Sequence, residues 1–385
     1  MDFKWSDEQL AIHKEIKAFA QKELNDDLVE RDKSGTFYLD GWRKCAEIGI
    51  QGLPVPNEYG GPGADILTTI FAMEALGFGC KDNGLIHAIN SHMWGCEIPI
   101  LKFGTDRQKD AYVPGLCKGK IIGAHAVTEP DAGSDVFSIK TSAVKDGGHY
   151  VLNGSKSICS NGPSADVIIV FAVTSPGRGF LGGISGFIVE KSTPGLQIGE
   201  PLEKMGLRTL PIAELFFDDC RVPAENLLGG EGSGVRIFNE TMEWERSCLF
   251  ACHAGTLERI LNDCVRYAKD RHQFGQPIGN YQAISHKMAD MKKNLELGKL
   301  MLYKIGWLKS QNKGVMLESA IAKLFIGESF KSAALDALQI FGSYGYMAEM
   351  GIEKEVRDAL AATIYSGTSE IQRNIIARSL GLKGA

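Results

Sequence analysis

Residues 234–256, GVRIFNETMEWERSCLFACHAGT, are the stretch around which the rest of the chain is organised. Steps of three and four residues mark one face of a predicted helix, made of Val235, Phe238, Met242, Glu245, Leu249, Cys252 and Thr256. Glu245 stands in the middle of this apolar stripe. Because an unpaired buried carboxylate is costly, it either meets a cation such as Arg246 or serves in chemistry. Glu240 and Glu243 fall on another side of the helix, where we expect them to be solvated.

The composition is that of a folded globular protein with more than one domain. A length of 385 residues exceeds one ordinary core, and 44% hydrophobic and 23% charged residues are typical of ordered chains. The net charge of -5 favours neither nucleic acid nor an anionic membrane surface as a partner. No run approaches the roughly 18 apolar residues that span a bilayer, and the N-terminus resembles no targeting signal, so we expect a cytoplasmic protein. Nine scattered cysteines predict neither a disulfide framework nor a metal site.

The order of patterns predicts an α+β protein of three domains. Residues 1–118 read as helices and loops, and residues 119–228 as short β-branched segments separated by turns. Since no useful helix lies between those segments, a small antiparallel sheet or barrel is favoured over a doubly wound parallel sheet. Residues 229–385 return to helical spacing and predict an up-and-down bundle. Its predicted helices run to about Asp270, over 281–312, over 317–341 and from Gln372.

Three loops carry residue types suited to binding a phosphate or a flat ligand. Residues 127–136 combine hydroxyl, acidic and small residues, which allow backbone N–H groups to approach a ligand closely. Residues 367–370, GTSE, precede a predicted helix whose N-terminus favours an anion. Arg271, close to Phe274, lies in a loop between helices and is suited to clamp a pyrophosphate.

Six separated motifs make the chain resemble the acyl-CoA dehydrogenases over essentially its whole length. They are 127–136 (VTEPDAGSDV), 153–156 (NGSK), 203–208 (EKMGLR), 271–275 (RHQFG), 339–342 (QIFG) and 364–373 (IYSGTSEIQR). The resemblance implies a helical N-terminal domain, a central β-barrel and a C-terminal four-helix bundle. It also implies FAD between barrel and bundle, and a homotetramer.

The resemblance assigns roles residue by residue. Expected at FAD are Val127 and Thr128 against the isoalloxazine ring, Gly133 and Ser134 at its central portion, Ser160 near the ring, Arg271 and Phe274 at the FAD of a neighbouring subunit, Gln339 and Gly342 at the adenosine side, and Thr368 and Glu370 at the pyrophosphate. Expected at the substrate are Ser134, Arg246 and Ser366. The implied reaction oxidises a thioester, with a carboxylate taking the α proton while a hydride leaves the β carbon for flavin N5.

The catalytic base is where the chain departs from the commonest family pattern. Most members carry a glutamate at the position of Ser366, and a serine hydroxyl without a partner is too weak a base. A minority, among them isovaleryl-CoA dehydrogenases and prolyl carrier-protein oxidases, keep the base immediately before an arginine on the first bundle helix. Glu245 matches that position. Ile158 also departs, since many members place an aromatic residue there, whereas His125 and His253 are interpreted as structural.

These features favour a flavoenzyme that desaturates a short, branched or cyclic acyl thioester on CoA or a carrier protein. The alternative is a prolyl carrier-protein oxidase of a natural-product assembly line. An electron-transfer flavoprotein as acceptor would indicate the first, and oxygen the second. A flavin-dependent N-hydroxylase on the same fold would not need Glu245, and a non-catalytic relative would not keep the FAD motifs.

Overall fold

The N-terminal part of the computed structural model, which describes residues 4–179 and 182–382, is helical as predicted. Its helices are α1 (Asp7–Glu23), α2 (Leu28–Ser34), α3 (Leu39–Glu47), α4 (Ile66–Gly79), α5 (Asn83–His92), α6 (Ile98–Phe103) and α7 (Asp106–Cys117). The Ser6 hydroxyl and the Gln9 side chain cap the start of α1 reciprocally, which is the capping box expected from Ser-x-x-Gln. A π-helical turn, Met93–Glu97, joins α5 to α6.

The middle of the chain forms a mixed sheet. Its strands are β1 (Gly123–Ala126), β2 (Ser142–Asp146), β3 (His149–Ser160), β4 (Val167–Val173), β5 (Ile184–Glu190), β6 (Leu196–Ile198), β7 (Ile212–Pro223) and β8 (Leu227–Leu228). They pair in the order β6-β7-β3-β2-β4-β5-β8, with β1 beside β4. Most pairs are antiparallel as predicted, but β1 and β2 each run parallel to β4. The parallel β1 brings residues 123–126 alongside the buried strand β4, from Gly123 opposite Val167 onward.

Both faces of β4 are buried. Alternate residues point to opposite faces of a strand, and Val167, Ile169 and Phe171 join one hydrophobic cluster. Ile168 and Val170 join the other. A third cluster lies between the N-terminal and C-terminal helices, so those two parts share one core.

The C-terminal part is a set of long helices as predicted. Its elements are α8 (Gly234–Asp270), the hairpin β9 (His272–Gln273) and β10 (Gln276–Pro277), α9 (Gln282–Ser310), α10 (Met316–Phe341), α11 (Ile352–Ala361) and α12 (Ser369–Ser379). α8 ends at the predicted residue, Asp270. The short helix α11 was not predicted, and α12 begins three residues earlier than Gln372. No helix in the described part of the chain is long and apolar enough to cross a membrane.

The middle of α8 is enclosed on every side. All residues over 241–257 are buried, polar ones included, so the whole circumference of this helix is covered and not only one apolar stripe. The expectation that Glu243 is solvated is therefore wrong. It is 9% exposed, and its carboxylate accepts hydrogen bonds from Lys309 Nζ at 2.7 Å and the Val315 N–H at 3.1 Å. Glu240 is also paired with Lys309, at 3.0 Å.

Candidate active site

Glu245 lies in the enclosed part of α8 and is 6% exposed. Its Oε1 accepts a hydrogen bond from the Ser366 hydroxyl. Its Oε2 is buried and has no partner among the described residues. The Arg246 guanidinium turns instead to the Ser366 carbonyl, with Nε at 3.0 Å. Glu245 is therefore not one half of an ion pair with Arg246, and one carboxylate oxygen is free to take a proton.

The loop before α12 brings Ser366 to Glu245. Ser366 and Gly367 both have left-handed backbones, with φ of 56° and 85°. Gln372 Nε2 holds this turn by donating to the carbonyls of Ser366 at 3.1 Å and Gly367 at 2.8 Å. Burial lowers the pKa of Arg246 to about 10, opposed by the nearby glutamates, so the guanidinium remains charged at neutral pH. The structure thus brings Glu245, Arg246 and Ser366 together.

A buried ion pair fixes the backbone at Val127 and Thr128. Lys156 is fully buried, and its Nζ donates to the Val127 carbonyl at 3.0 Å and to Glu129 Oε1 at 2.8 Å. The Thr128 carbonyl accepts from the Ser157 N–H at 2.8 Å. Burial lowers the pKa of Lys156 to about 8, while Glu129 opposes that shift. These bonds hold the 127–129 segment against β3.

The residues expected at the central portion of a flavin are accessible. Gly133 and Ser134 are exposed, and a Cβ at Gly133 would meet no atom within 4 Å. Ser160 is half-buried at the end of β3. Ile158 is 61% exposed with a φ of 56°, at a register irregularity against β7. A positive φ is strained for a β-branched residue, and such strain concentrates at functional sites.

Arg271, Phe274 and Gly342 line one groove of about 370 Å³ between the β9–β10 hairpin and the end of α10. Phe274 is 94% exposed, at the tip of the hairpin. Gln339 is exposed on α10 but does not line the groove. The groove is thus formed on the protein surface, apart from Glu245.

Thr368 and Glu370 stand at the N-terminus of α12. Thr368 caps the helix, its hydroxyl accepting from the Ile371 N–H at 3.3 Å. The backbone N–H of Glu370 and the Thr368 hydroxyl lower the pKa of the Glu370 carboxyl, which is exposed. Both residues are placed at a helix end that favours negative charge.

Three histidines lie near the same region: His87 and His253 are buried and His125 is half-buried. His253 Nε2 lies 2.5 Å from the Tyr365 hydroxyl, as expected of a structural residue. His125 Nδ1 is buried without a partner among the described residues, and so is His253 Nδ1. His87, which the sequence analysis did not single out, also has an unpartnered Nδ1. No sequence signal set His87 apart, because its helix also carries Asn83, Asn90, Ser91 and His92.

Three domain models of one protein family match the chain in order. They are "Acyl-CoA dehydrogenase, N-terminal domain" at residues 6–120, "middle domain" at 124–220 and "C-terminal domain" at 232–381. Together they span nearly all of the sequence.

Individual relatives are similar over their full length. An L-prolyl-[peptidyl-carrier protein] dehydrogenase of Pseudomonas fluorescens is 43% identical over 383 residues, which are 99% of this chain and 100% of the relative. The crystal structure of the prolyl acyl carrier protein oxidase AnaB matches with a TM-score of 0.97 and 48% identity, over 98% of this chain and 100% of that one. The structure described as PigA with FAD and proline matches with a TM-score of 0.97 and 40% identity, over 100% of both chains.

Proposed function

The chain belongs to the acyl-CoA dehydrogenase family, and from that premise we propose that it oxidises a prolyl group held as a thioester on a carrier protein. As a family member it is an FAD flavoprotein, an oxidoreductase that acts on the CH–CH group of an acyl thioester. The observation that carries the proposal is the buried Glu245 carboxylate, which has one oxygen held by Ser366 and the other free. The same base position serves an acyl-CoA and a carrier-bound substrate.

The residues present fit FAD. The exposed Gly133 and Ser134 leave open space for a flat ligand, and the helix end at Thr368 suits a pyrophosphate. Val127 and Thr128 present a backbone that is fixed from behind by Lys156 and Ser157. We assign these groups, with Ser160, Gln339, Gly342 and Glu370, to the cofactor. When bound, FAD supplies a two-electron acceptor that takes the β hydrogen of the substrate as a hydride.

Glu245 acts as the general base that takes the α proton. Glu245 lies in the buried stretch of α8, where bulk water does not reach it. The carboxylate therefore stays available for the substrate. The Ser366 hydroxyl donates to Oε1 and so orients Oε2, the oxygen that has no partner in the chain. Arg246 positions Ser366 and not the base itself, because its guanidinium donates to the Ser366 carbonyl and not to the Glu245 carboxylate.

The prolyl substrate is proposed from the relatives. The enzyme of Pseudomonas fluorescens and AnaB are both described as acting on a prolyl group of a carrier protein, and PigA was solved with proline. Each of them covers at least 98% of this chain at 40% identity or more. We therefore propose a carrier-bound prolyl group as the substrate ahead of a simple acyl-CoA.

Further partners follow from exposed features. Phe274, 94% exposed, and Arg271 would extend to the FAD of a neighbouring subunit in a homotetramer. The electron acceptor is proposed to be an electron-transfer flavoprotein or oxygen, and the location the cytoplasm. Light scattering, which measures the molar mass in solution, tests the homotetramer. Reoxidation of the reduced flavin, compared with and without oxygen, tests the electron acceptor.

A reductive titration tests the proposed function. FAD-loaded enzyme is mixed without oxygen with prolyl-carrier protein, prolyl-CoA, butyryl-CoA and isovaleryl-CoA. The expected result is loss of the yellow flavin absorbance, fastest with prolyl-carrier protein, and loss of hydrogen from the prolyl group by mass spectrometry. Faster bleaching by an aliphatic acyl-CoA would overturn the prolyl assignment, and bleaching by none would overturn thioester oxidation.

A further inference from the structure

Several buried polar atoms near the base have no partner among the described residues, and three of them are Glu245 Oε2, His87 Nδ1 and His125 Nδ1. The charge of Glu245 acts on both imidazoles, where it opposes the effect of burial on their pKa values. A buried polar atom without a hydrogen bond is costly. An aliphatic acyl chain could satisfy none of the three, so this side of the site is polar where a hydrocarbon substrate would call for apolar residues.

His87 packs against Tyr365, the residue that precedes Ser366 in the loop before α12. Its imidazole meets the ring of Tyr365 edge-on, with centroids 4.6 Å apart. Tyr365 directly precedes Ser366, whose hydroxyl donates to Glu245. His87 is only 6% exposed, so bulk solvent does not supply a partner for its imidazole, and a ligand would have to enter the site to do so.

Asn161 brings His125 to the same region. Its Nδ2 donates to the carbonyl of Ala88 at 2.9 Å and to the carbonyl of Gly123 at 3.1 Å. Ala88 follows His87 on α5, and Gly123 stands two residues before His125 on β1. One buried amide therefore ties together the two elements that carry the histidines.

Gly95 leaves the room that the His125 ring occupies. A Cβ at Gly95 would lie 2.0 Å from His125 Nδ1, so this nitrogen packs against the Gly95 backbone and any larger residue there would displace the imidazole. Gly95 belongs to the π-helical turn Met93–Glu97, and such turns occur frequently at functional sites. His125 as a whole residue is half-buried, although its Nδ1 is buried.

Both imidazoles are neutral at neutral pH. Burial lowers the pKa of His87 to about 4, and it lowers the pKa of His125 as well. A charged imidazole would pair with Glu245 and occupy the base. A neutral imidazole leaves the carboxylate free and carries one nitrogen that accepts a hydrogen bond and one that donates.

We propose that His87 and His125 form the side of the acyl site that recognises the ring nitrogen of a cyclic amino-acyl thioester. This assignment rests on the proposed function and names the feature of the substrate that the site selects. An imidazole nitrogen accepts a hydrogen bond from the ring N–H, while Glu245 faces the α carbon of the same ring. A site built around such a hydrogen bond rejects an analogue that lacks the N–H, because its own polar atoms are then left unpaired.

The experiment compares prolyl thioester with cyclopentanecarbonyl thioester on the same carrier protein, because the two rings are similar in size and only one contains nitrogen. For the FAD-loaded wild type, the ratio of kcat/KM for prolyl over cyclopentanecarbonyl should be at least about 100. Calorimetry with unreactive amide analogues of the two thioesters on pantetheine should show that the prolyl analogue binds more tightly than the cyclopentanecarbonyl analogue. In His87→Phe and His125→Phe the ratio should fall by about tenfold or more. His125→Gln, which keeps a polar amide, should recover part of it.

His92→Gln is the matched control. His92 is another buried imidazole, but its Nδ1 accepts from the Gly123 N–H and its Nε2 donates to the Leu116 carbonyl, so the ratio should not change. Equal wild-type responses to the two rings, or a ratio that survives both phenylalanine substitutions in folded enzyme, would overturn the inference. If neither thioester reduced the flavin, the result would instead contradict the proposed function.

Discussion

The Ser366 hydroxyl donates a hydrogen bond to Glu245 Oε1 and thereby connects the loop before α12 to the middle of α8. Ser366 makes this bond from a left-handed backbone, with a φ of 56°, which costs energy for a residue with a Cβ. Arg246 and Gln372 both hold its carbonyl, at 3.0 Å and 3.1 Å. The surrounding bonds therefore maintain a strained turn that orients one buried carboxylate.

Substitutions at Glu245 and Ser366 distinguish the general base from the residue that orients it. Glu245→Gln should fold and bind FAD, but flavin reduction by the substrate should slow at least about 100-fold, the usual contribution of a general base. Ser366→Ala removes one hydrogen bond and should slow reduction only about tenfold. Anaerobic stopped-flow absorbance measures both rates. If Ser366→Ala abolished reduction while Glu245→Gln did not, the base would be assigned to the wrong residue.

The buried pair of Lys156 and Glu129 should matter far more than a pair on the surface. Lys156→Met leaves Glu129 buried without its cation and should lower the free energy of unfolding by about 3–5 kcal/mol. It also removes the donor to the Val127 carbonyl, so FAD affinity should fall. Lys140→Met is the matched control, since Lys140 and Asp131 form an exposed pair expected to contribute less than about 1 kcal/mol. Urea unfolding and flavin fluorescence measure the two effects, and equal losses in both variants would contradict this account.

Local signals in the sequence were sufficient for most of the long helices, and they made Glu245 a candidate. The Ser6–Gln9 capping box and the helical spacing up to Asp270 depend on residues close together in the chain, and both agree with the structure. Its place among apolar neighbours singled out Glu245, and the family resemblance then favoured it as the base over an ion-paired residue. Fold class and family followed from the order of such signals.

Features that depend on distant contacts could not be predicted in the same way. Glu243 was expected in solvent because the residues on its face of the predicted helix are polar, but Lys309 and Val315 reach it from α9 and from the loop before α10. The unpartnered state of His125 likewise depends on Gly95, in another element. A helical pattern defines faces, but it does not say how many of those faces other helices cover.

Two glycines set the close crossing of α4 and α8. A Cβ at Gly77 would lie 1.9 Å from the Cys252 carbonyl oxygen, and one at Gly255 would lie 2.0 Å from the Glu74 carbonyl oxygen. Gly77→Ala should therefore force the helices apart and lower the free energy of unfolding by about 3 kcal/mol or more. Gly148→Ala is the control, because nothing lies within 4 Å of its added carbon, and it should change stability by less than about 0.5 kcal/mol. Denaturant titration tests the pair, and a fully stable Gly77→Ala would show that this crossing can relax.

The buried His92 should make the protein less stable in mild acid. Burial lowers the pKa of His92 to about 4 from its usual value near 6.5, although the Leu116 carbonyl opposes that shift. As the pH falls, the unfolded chain therefore binds this proton first. The contribution of His92 to the free energy of unfolding is constant above pH 6.5 and falls between pH 6.5 and about 4, by about 3 kcal/mol in all.

His92→Gln tests this expectation, because glutamine can retain a hydrogen bond but does not titrate. Urea titrations at successive pH values measure the free energy of unfolding, which should fall less steeply for His92→Gln than for the wild type. His286→Gln, at an exposed position of α9, controls for loss of a histidine as such, and identical slopes for wild type and His92→Gln would show that His92 does not cause the acid sensitivity.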